Sequence, residues 1–437
     1  MAREIYEPRR KALQINLDSN IYGTFAEIGG GQEVARNFFS AGAASGTVAK
    51  TISAYDMAFS DSIYGEEESG RYVSETRVGK MIEYEYKLLA ERLQGEKYGN
   101  KTFFAFANTV ATINFAKTND PHGWMGIRFQ KEINAPTNDI IVHVRLLDTD
   151  SQLQQKVLGI LGVNLIYAAF FYSDNVQTMI DSLTDNLSMS SIEIDMAKVS
   201  GPLFKDVNER FLNLYLNAKG YAKAALFKPD TNAIQVKDHL YRKNIVILRT
   251  KYRQKSLPHF DMLNQAVEQF YQDTGATPEN TVVIIEILMG NLLDENPAVS
   301  NEDLQYFAER AELLCATGNN ILVSNFRRNN HLAEFLNQFN SPNIGIVTNV
   351  SNLKAIFNSD KYNKDAYTHE LLAYISGMFS KNIKLYAYPY LRRKENKIIT
   401  IHNMGVSEEA KPLFDFLIQN KYIVSIENYE PKHVKGL

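Results

Sequence analysis

The sequence predicts an α/β protein of two domains: a mixed α/β N-terminal domain over 1–238, then a largely parallel-sheet, Rossmann-like C-terminal domain over 239–437. Three observations lead there. At 437 residues the chain exceeds what one hydrophobic core usually organises. Its 45% hydrophobic and 22% charged residues supply enough apolar surface to offset chain entropy, which excludes disordered and fibrous classes. From Asn244 onward, short β-rich runs alternate with amphipathic stretches, as a parallel sheet with helical crossovers requires.

The alternation in the second half pairs strand-like Ile245–Leu248 with helix-like Phe260–Tyr271, and Val282–Leu288 with Leu304–Leu314. Ile321–Ser324 then leads into Leu332–Phe339, and Ile344–Val350 into Leu353–Phe357. Ile383–Tyr390, Ile398–His402 and Ile423–Ile426 extend the sheet. In the first half, Ile21–Ile28, Phe103–Ala107, Leu165–Phe171 and Ile192–Met196 read as strands. Ile127–Phe129 and Ile140–Val144 flank Asn134–Asn138, a segment with hairpin-turn chemistry. Val78–Leu93 reads as a helix, with Tyr84, Leu88 and Leu89 at helical spacing.

One cysteine, Cys315, excludes an intramolecular disulfide. A formal charge of -3 argues against a chain that coats nucleic acid or anionic membrane. The opening residues are polar with no apolar h-region, and the longest apolar run, Val163–Tyr172, is short of a bilayer span. The expectation is a cytoplasmic protein with no membrane partner.

The densest cluster of special residues runs from Gly23 to Gly65. A strand ending in Gly29, Gly30 and Gly31 and opening a helix can bring bare N–H groups and a helix dipole to an anion. The expected ligand contacts are Glu27, Gly29, Gly30, Gly31, Arg36, Gly46, Thr47, Thr51 and Tyr55. Lys50, with Arg36, would stabilise charge, and Asp56 or Asp61 would hold a hydroxyl or Mg²⁺; Lys50, Asp56 and Asp61 are the candidate catalytic residues. The dinucleotide fingerprint lacks its third glycine, replaced by Val34, and a P-loop fails because Ala49 precedes Lys50. Ala26–Gly31 resembles the first motif of Rossmann-type S-adenosylmethionine methyltransferases, with Asp56, in strand-like Ile52–Phe59, standing as the ribose acid.

Three stretches, Tyr22–Arg36, Ala44–Gly65 and His122–Ile127, resemble a widespread bacterial family whose members are labelled nicotinate-nucleotide adenylyltransferase or TonB-dependent receptor. The second label would require a secretory signal and a long barrel of alternating strands. The first implies an H-x-G-H element that binds nucleotide phosphates; no such element occurs here, so no residue is carried over.

Elsewhere, Trp124 beside His122 can stack or simply pack. The histidines show no zinc-ligand spacing, and no resident metal site is expected. Glu193 and Asp195 share one strand face as candidate acid and base or as solvated charges. Arg249, Lys251, Arg253 and Lys255 would project from one face of a strand, meeting phosphates or protecting a sheet edge. Arg327-Arg328 and Arg392-Arg393-Lys394 follow strands, where open parallel sheets collect anions. With 24 Tyr and 24 Phe, subunit association is also expected. The sequence therefore indicates a nucleotide- or phosphate-binding protein, a candidate group-transfer enzyme acting on a small anionic ligand. A non-catalytic, self-assembling homo-oligomer and a methyltransferase are the alternatives.

Overall fold

A computed structural model describes residues 3–93, 98–229, 233–250, 257–289, 299–358, 367–379 and 382–434. The chain divides into units Met1–Lys223 and Ala224–Leu437.

The first unit builds one sheet from β1 (Ile21–Ile28), β2 (Val48–Ile52), β3 (Thr102–Ala111), β4 (His122–Gln130), β5 (Thr137–Leu146) and β6 (Ile192–Ser200). The order is β2-β1-β3-β4-β5-β6, parallel across β2-β1-β3 and antiparallel from β3 to β6. The expected hairpin joins β4 to β5, with Asn134 in the left-handed region at φ 59. The helices are α1 (Pro8–Leu17), α2 (Glu33–Ala41), α3 (Met57–Tyr64), α4 (Glu75–Arg92), α5 (Ser151–Phe171), α6 (Val176–Leu183) and α7 (Glu209–Ala218). Strand alternation on β4 assigns the two faces. Phe129 meets Phe170 of α5 with ring centroids 5.7 Å apart, whereas Gly126 faces Val78 and Ile82 of α4.

Residues 165–171 are not a strand. They complete α5, which is apolar on nearly every side and shows no helical stripe, because its surroundings are apolar on nearly every side. By length and composition α5 could cross a bilayer, yet 72% of its apolar window is buried inside the protein. Gly162 lets α2 approach closely, since a Cβ there would meet Val34 at 2.3 Å. Asp56 also departs from its expected strand: β2 ends at Ile52, and Asp56 is the N-cap of α3.

The second unit begins before the expected boundary at Asp238, because β7 (Ala224–Phe227) joins its sheet as an antiparallel edge strand. There follow α8 (Val236–Leu240), β8 (Asn244–Thr250), α9 (Leu257–Thr274), β9 (Thr281–Leu288), α10 (Asn301–Cys315), β10 (Asn320–Ser324), α11 (Asn329–Leu336), β11 (Ile344–Asn349) and α12 (Val350–Ile356). The chain continues through α13 (Tyr367–Met378), β12 (Ile383–Tyr388), the small hairpin β13 (Tyr390–Arg392) and β14 (Lys397–Ile399), α14 (Lys411–Gln419), β15 (Ile423–Ser425) and α15 (Pro431–Val434). The sheet order is β15-β12-β11-β8-β9-β10-β7, all parallel except β7. Counted from β8, the parallel strands run in the doubly wound order of dinucleotide-binding folds, so the Rossmann-like expectation holds. β8 is therefore a central strand, buried from Ile245 to Leu248, and Arg249 is no edge-protecting charge. Lys251, Arg253 and Lys255 lie outside the described residues.

Candidate functional site

At the glycine corner, the end of β1 turns into α2. Gly29 has φ 89 and a Cβ there would lie 1.8 Å from the Val110 carbonyl oxygen, so only glycine fits against β3. A Cβ on Gly30 would come within 2.8 Å of Leu158 on α5, and Gly31 has φ 74. The anion expected at α2 is supplied by the chain itself. Glu27, 2% exposed, accepts the N–H of Ala35 at 2.9 Å and of Val34 at 3.2 Å. The Asn108 amide donates to the same carboxylate at 3.2 Å. Burial pushes the Glu27 carboxyl up to about 7 in spite of these donors. The methyltransferase alternative loses its motif here, since the opening amides of α2 are engaged and Asp56 caps a helix instead of ending a strand.

The other expected ligand and catalytic residues are held by separate partners. Arg36 is exposed and pairs with Glu33 at 3.2 Å. Gly46 ends a short 3-10 turn, and the buried Thr47 hydroxyl reaches the Ile15 carbonyl at 3.4 Å. Thr51 pairs with Phe25 in the parallel β2-β1 ladder. Tyr55 is 75% exposed, and Asp56 accepts the N–H of Phe59 at 2.9 Å. Lys50 lies 2.5 Å from Glu85, a buried residue of α4 that also accepts from Tyr64. Asp61 accepts from Tyr72 at 2.6 Å and from the buried Arg77 at 2.5 Å, contacts that hold its carboxyl below the usual range. Lys50, Asp56 and Asp61 are thus not gathered around one point. The shared cause for Lys50 and Asp61 is α4: it buries Arg77 and Glu85, and each is met by a partly exposed partner of opposite charge.

The register of β4, β5 and β6 assembles a different group of polar side chains. Cross-strand pairing places Trp124 opposite His143, His122 opposite Arg145, and Arg145 opposite Glu193. A register shift after His143 brings in Asp195 as well. His143 Nδ1 lies 2.5 Å from Asp195 Oδ1, and His143 Nε2 lies 3.0 Å from His122 Nδ1. His143 is fully enclosed, Asp195 nearly so, and His122 half-buried. Arg145 donates to Glu193 at 3.1 Å and lies 3.9 Å from Asp120. Burial, reinforced by the charge of Asp195, raises the Glu193 carboxyl above its ordinary value, and Arg145 opposes that rise.

Trp124 packs 4.8 Å from the His143 ring, with its Nε1 buried and without a hydrogen-bond partner among the described residues. It is a wall behind the histidines and not an exposed stacking surface, being 1% accessible. On its other side, Thr109 donates to the Tyr72 carbonyl at 2.6 Å, which connects this wall to the Tyr72–Asp61–Arg77 group.

This line of groups has defined proton chemistry. With Asp195 ionised, His143 carries its proton on Nδ1 and presents the Nε2 lone pair to the Nδ1–H of His122. His122 Nε2 is then the basic end. A proton gained there passes through the imidazole pair toward the carboxylate, so His122 can act first as base and then as acid. Among the described residues no three or more His, Cys, Asp or Glu side chains are grouped to hold a metal ion.

Sequence reasoning singled out His122, Trp124, Glu193 and Asp195 as separate features and missed His143 and Arg145. The available signal was alternation: His143-x-Arg145 faces Glu193-x-Asp195 at strand period.

No family model matches the chain, and no curated protein matches it. Solved structures similar to part of it include a competence-damaged protein (CinA) superfamily member from Klebsiella pneumoniae 700603. That match has 11% identity and a TM-score of 0.28, covering 37% of this chain and 96% of that one. A competence/damage inducible protein from Agrobacterium tumefaciens matches at 17% identity and a TM-score of 0.29, covering 38% and 98%. The Escherichia coli CinA-superfamily protein matches at 12% identity and a TM-score of 0.26, covering 36% and 84%. At these values the likenesses carry no functional argument.

Proposed function

We propose that the protein is a hydrolytic or group-transfer enzyme whose first unit supplies general acid–base catalysis from His122. The observation that carries this reading is the unbroken line Asp195–His143–His122, with contacts of 2.5 and 3.0 Å. A buried carboxylate that orients one imidazole, which in turn orients a second, fixes both tautomers and stabilises the charge that proton uptake creates. Asp120 and Glu193 flank Arg145, and Asp195 lies against His143, so the acids at this end of the sheet favour a neutral or cationic substrate over an anionic one.

The test is steady-state hydrolysis and transfer by the full chain across amide, ester and glycosidic substrates of neutral or positive charge. His122→Gln should lower turnover by about 10²–10⁴-fold while leaving the melting temperature unchanged. Wild-type turnover in His122→Gln and Asp195→Asn would contradict the reading.

A second reading, self-association, is supported by Tyr55, Met57 and Phe59, which are 75%, 61% and 58% exposed within five residues. Sedimentation of the wild type beside Met57→Lys tests it. A single 49.6 kDa species for both proteins at all concentrations counts against it.

A further inference from the structure

The carboxyl edge of the second sheet carries a concentration of hydrogen-bond donors that the first unit's chemistry does not use. β8 and β9 place Arg249 directly opposite Glu286, and Ser324, at the end of β10, donates to Glu286 at 2.5 Å. The Arg249 side chain is 9% exposed. Its Nε lies 3.4 Å from Glu286 Oε2, and its Nη1 donates to Asn329 Oδ1 at 3.0 Å. Its Nη2 is buried with no partner among the described residues. A guanidinium nitrogen removed from water and left unmatched costs stability unless an acceptor arrives.

Asn329 is the first residue of α11, so the guanidinium stands at the start of that helix. Arg328, the N-cap, contributes no side-chain acceptor, and the first backbone bond of the helix runs from Leu332 N–H to the Arg328 carbonyl at 3.4 Å. The start of α11 therefore has no side-chain cap from its N-cap residue, at the end where a helix leaves its first amides outside its own ladder. Arg327 and Arg328, both exposed, immediately precede them. This is where an open, doubly wound sheet collects ligands.

A buried, unmatched guanidinium nitrogen beside a helix start, with two further arginines and a helix dipole, calls for a compact anion that offers several oxygens at once. A carboxylate presents two; a phosphoryl group presents three. Among the described residues Glu286 is the one carboxyl group in contact with Arg249, and its complete burial raises its carboxyl above the ordinary value in spite of Arg249 and Ser324. We propose that Arg249, Arg327, Arg328 and the first turn of α11 form a binding site for a phosphoryl group, carried either by free phosphate or by a nucleotide.

Calorimetric titration and thermal denaturation of the full chain at constant ionic strength test this with inorganic phosphate, AMP and adenosine. Inorganic phosphate and AMP should each bind and raise the melting temperature, whereas adenosine should do neither. Equal affinity for phosphate and AMP identifies free phosphate as the ligand, and AMP tighter by about tenfold or more identifies a nucleotide; both support the site. The double variant Arg327→Ala/Arg328→Ala changes two exposed side chains, so it should fold as the wild type does and lose at least about tenfold in phosphate affinity. Arg249→Lys keeps the buried charge, removes the unmatched nitrogen, and should weaken binding as well. Absence of any response to phosphate and AMP, adenosine binding as tightly as AMP, or wild-type affinity in Arg327→Ala/Arg328→Ala would overturn the proposal.

Discussion

The Glu27 carboxylate accepts the backbone N–H of Ala35 at 2.9 Å, so the amides that open α2 are met by an acid from the strand before it. Its carboxyl titrates near 7, above the ordinary value of 4.5, because burial outweighs the donors around it. The protonated form is therefore favoured by folding. Its contribution is fully present below about pH 4.5 and is lost as pH rises through about 7, with a magnitude on the order of 3 kcal/mol. Urea denaturation from pH 5 to 8 should show a stability loss with rising pH that Glu27→Gln lacks. Parallel pH profiles for the two proteins would refute this assignment.

Glycine is required in the corner by contact and conformation, not by a ligand. Gly29→Ala combines φ 89 with a Cβ 1.8 Å from a carbonyl oxygen and should destabilise the fold by about 2–4 kcal/mol. Gly46→Ala, whose nearest neighbour would be 3.6 Å away, should stay within about 0.5 kcal/mol. Chemical denaturation of the two variants measures the contrast, and similar values for both would count against it.

Lys50 is a structural counter-charge. Its ammonium lies 2.5 Å from Glu85, which is buried, so Lys50→Met leaves that carboxylate uncompensated and should cost about 1–3 kcal/mol. Changing Glu85 to Gln in the same chain should recover part of the loss. A double-mutant cycle by thermal denaturation reads the coupling, and strictly additive effects would show that the pair does not matter to stability.

The bounds Ile21–Ile28 are legible in the sequence because the strand is apolar and ends at glycines, and the βα alternation after Asn244 is legible because each element carries its own period. α5 is not, since a helix buried along most of its length loses the polar stripe that marks a helix. The glycine corner misleads for a related reason: a loop that presents amides to an outside anion and one that presents them to Glu27 have the same composition. The histidine line is hidden because its members are 21 and 52 residues apart, brought together only by the register of three antiparallel strands and a bulge. Nothing local in the sequence encodes that register.

The central claim is the direction of proton ordering along Asp195, His143 and His122. Ring ¹⁵N NMR of the full chain at about pH 8, with His122→Gln and His143→Gln for assignment, reads each tautomer directly. The predicted spectrum has both imidazoles protonated at Nδ1 and unprotonated at Nε2, an ordering lost at His143 in Asp195→Asn. A His122 ring protonated at Nε2, or a His143 tautomer indifferent to Asp195→Asn, would contradict the account.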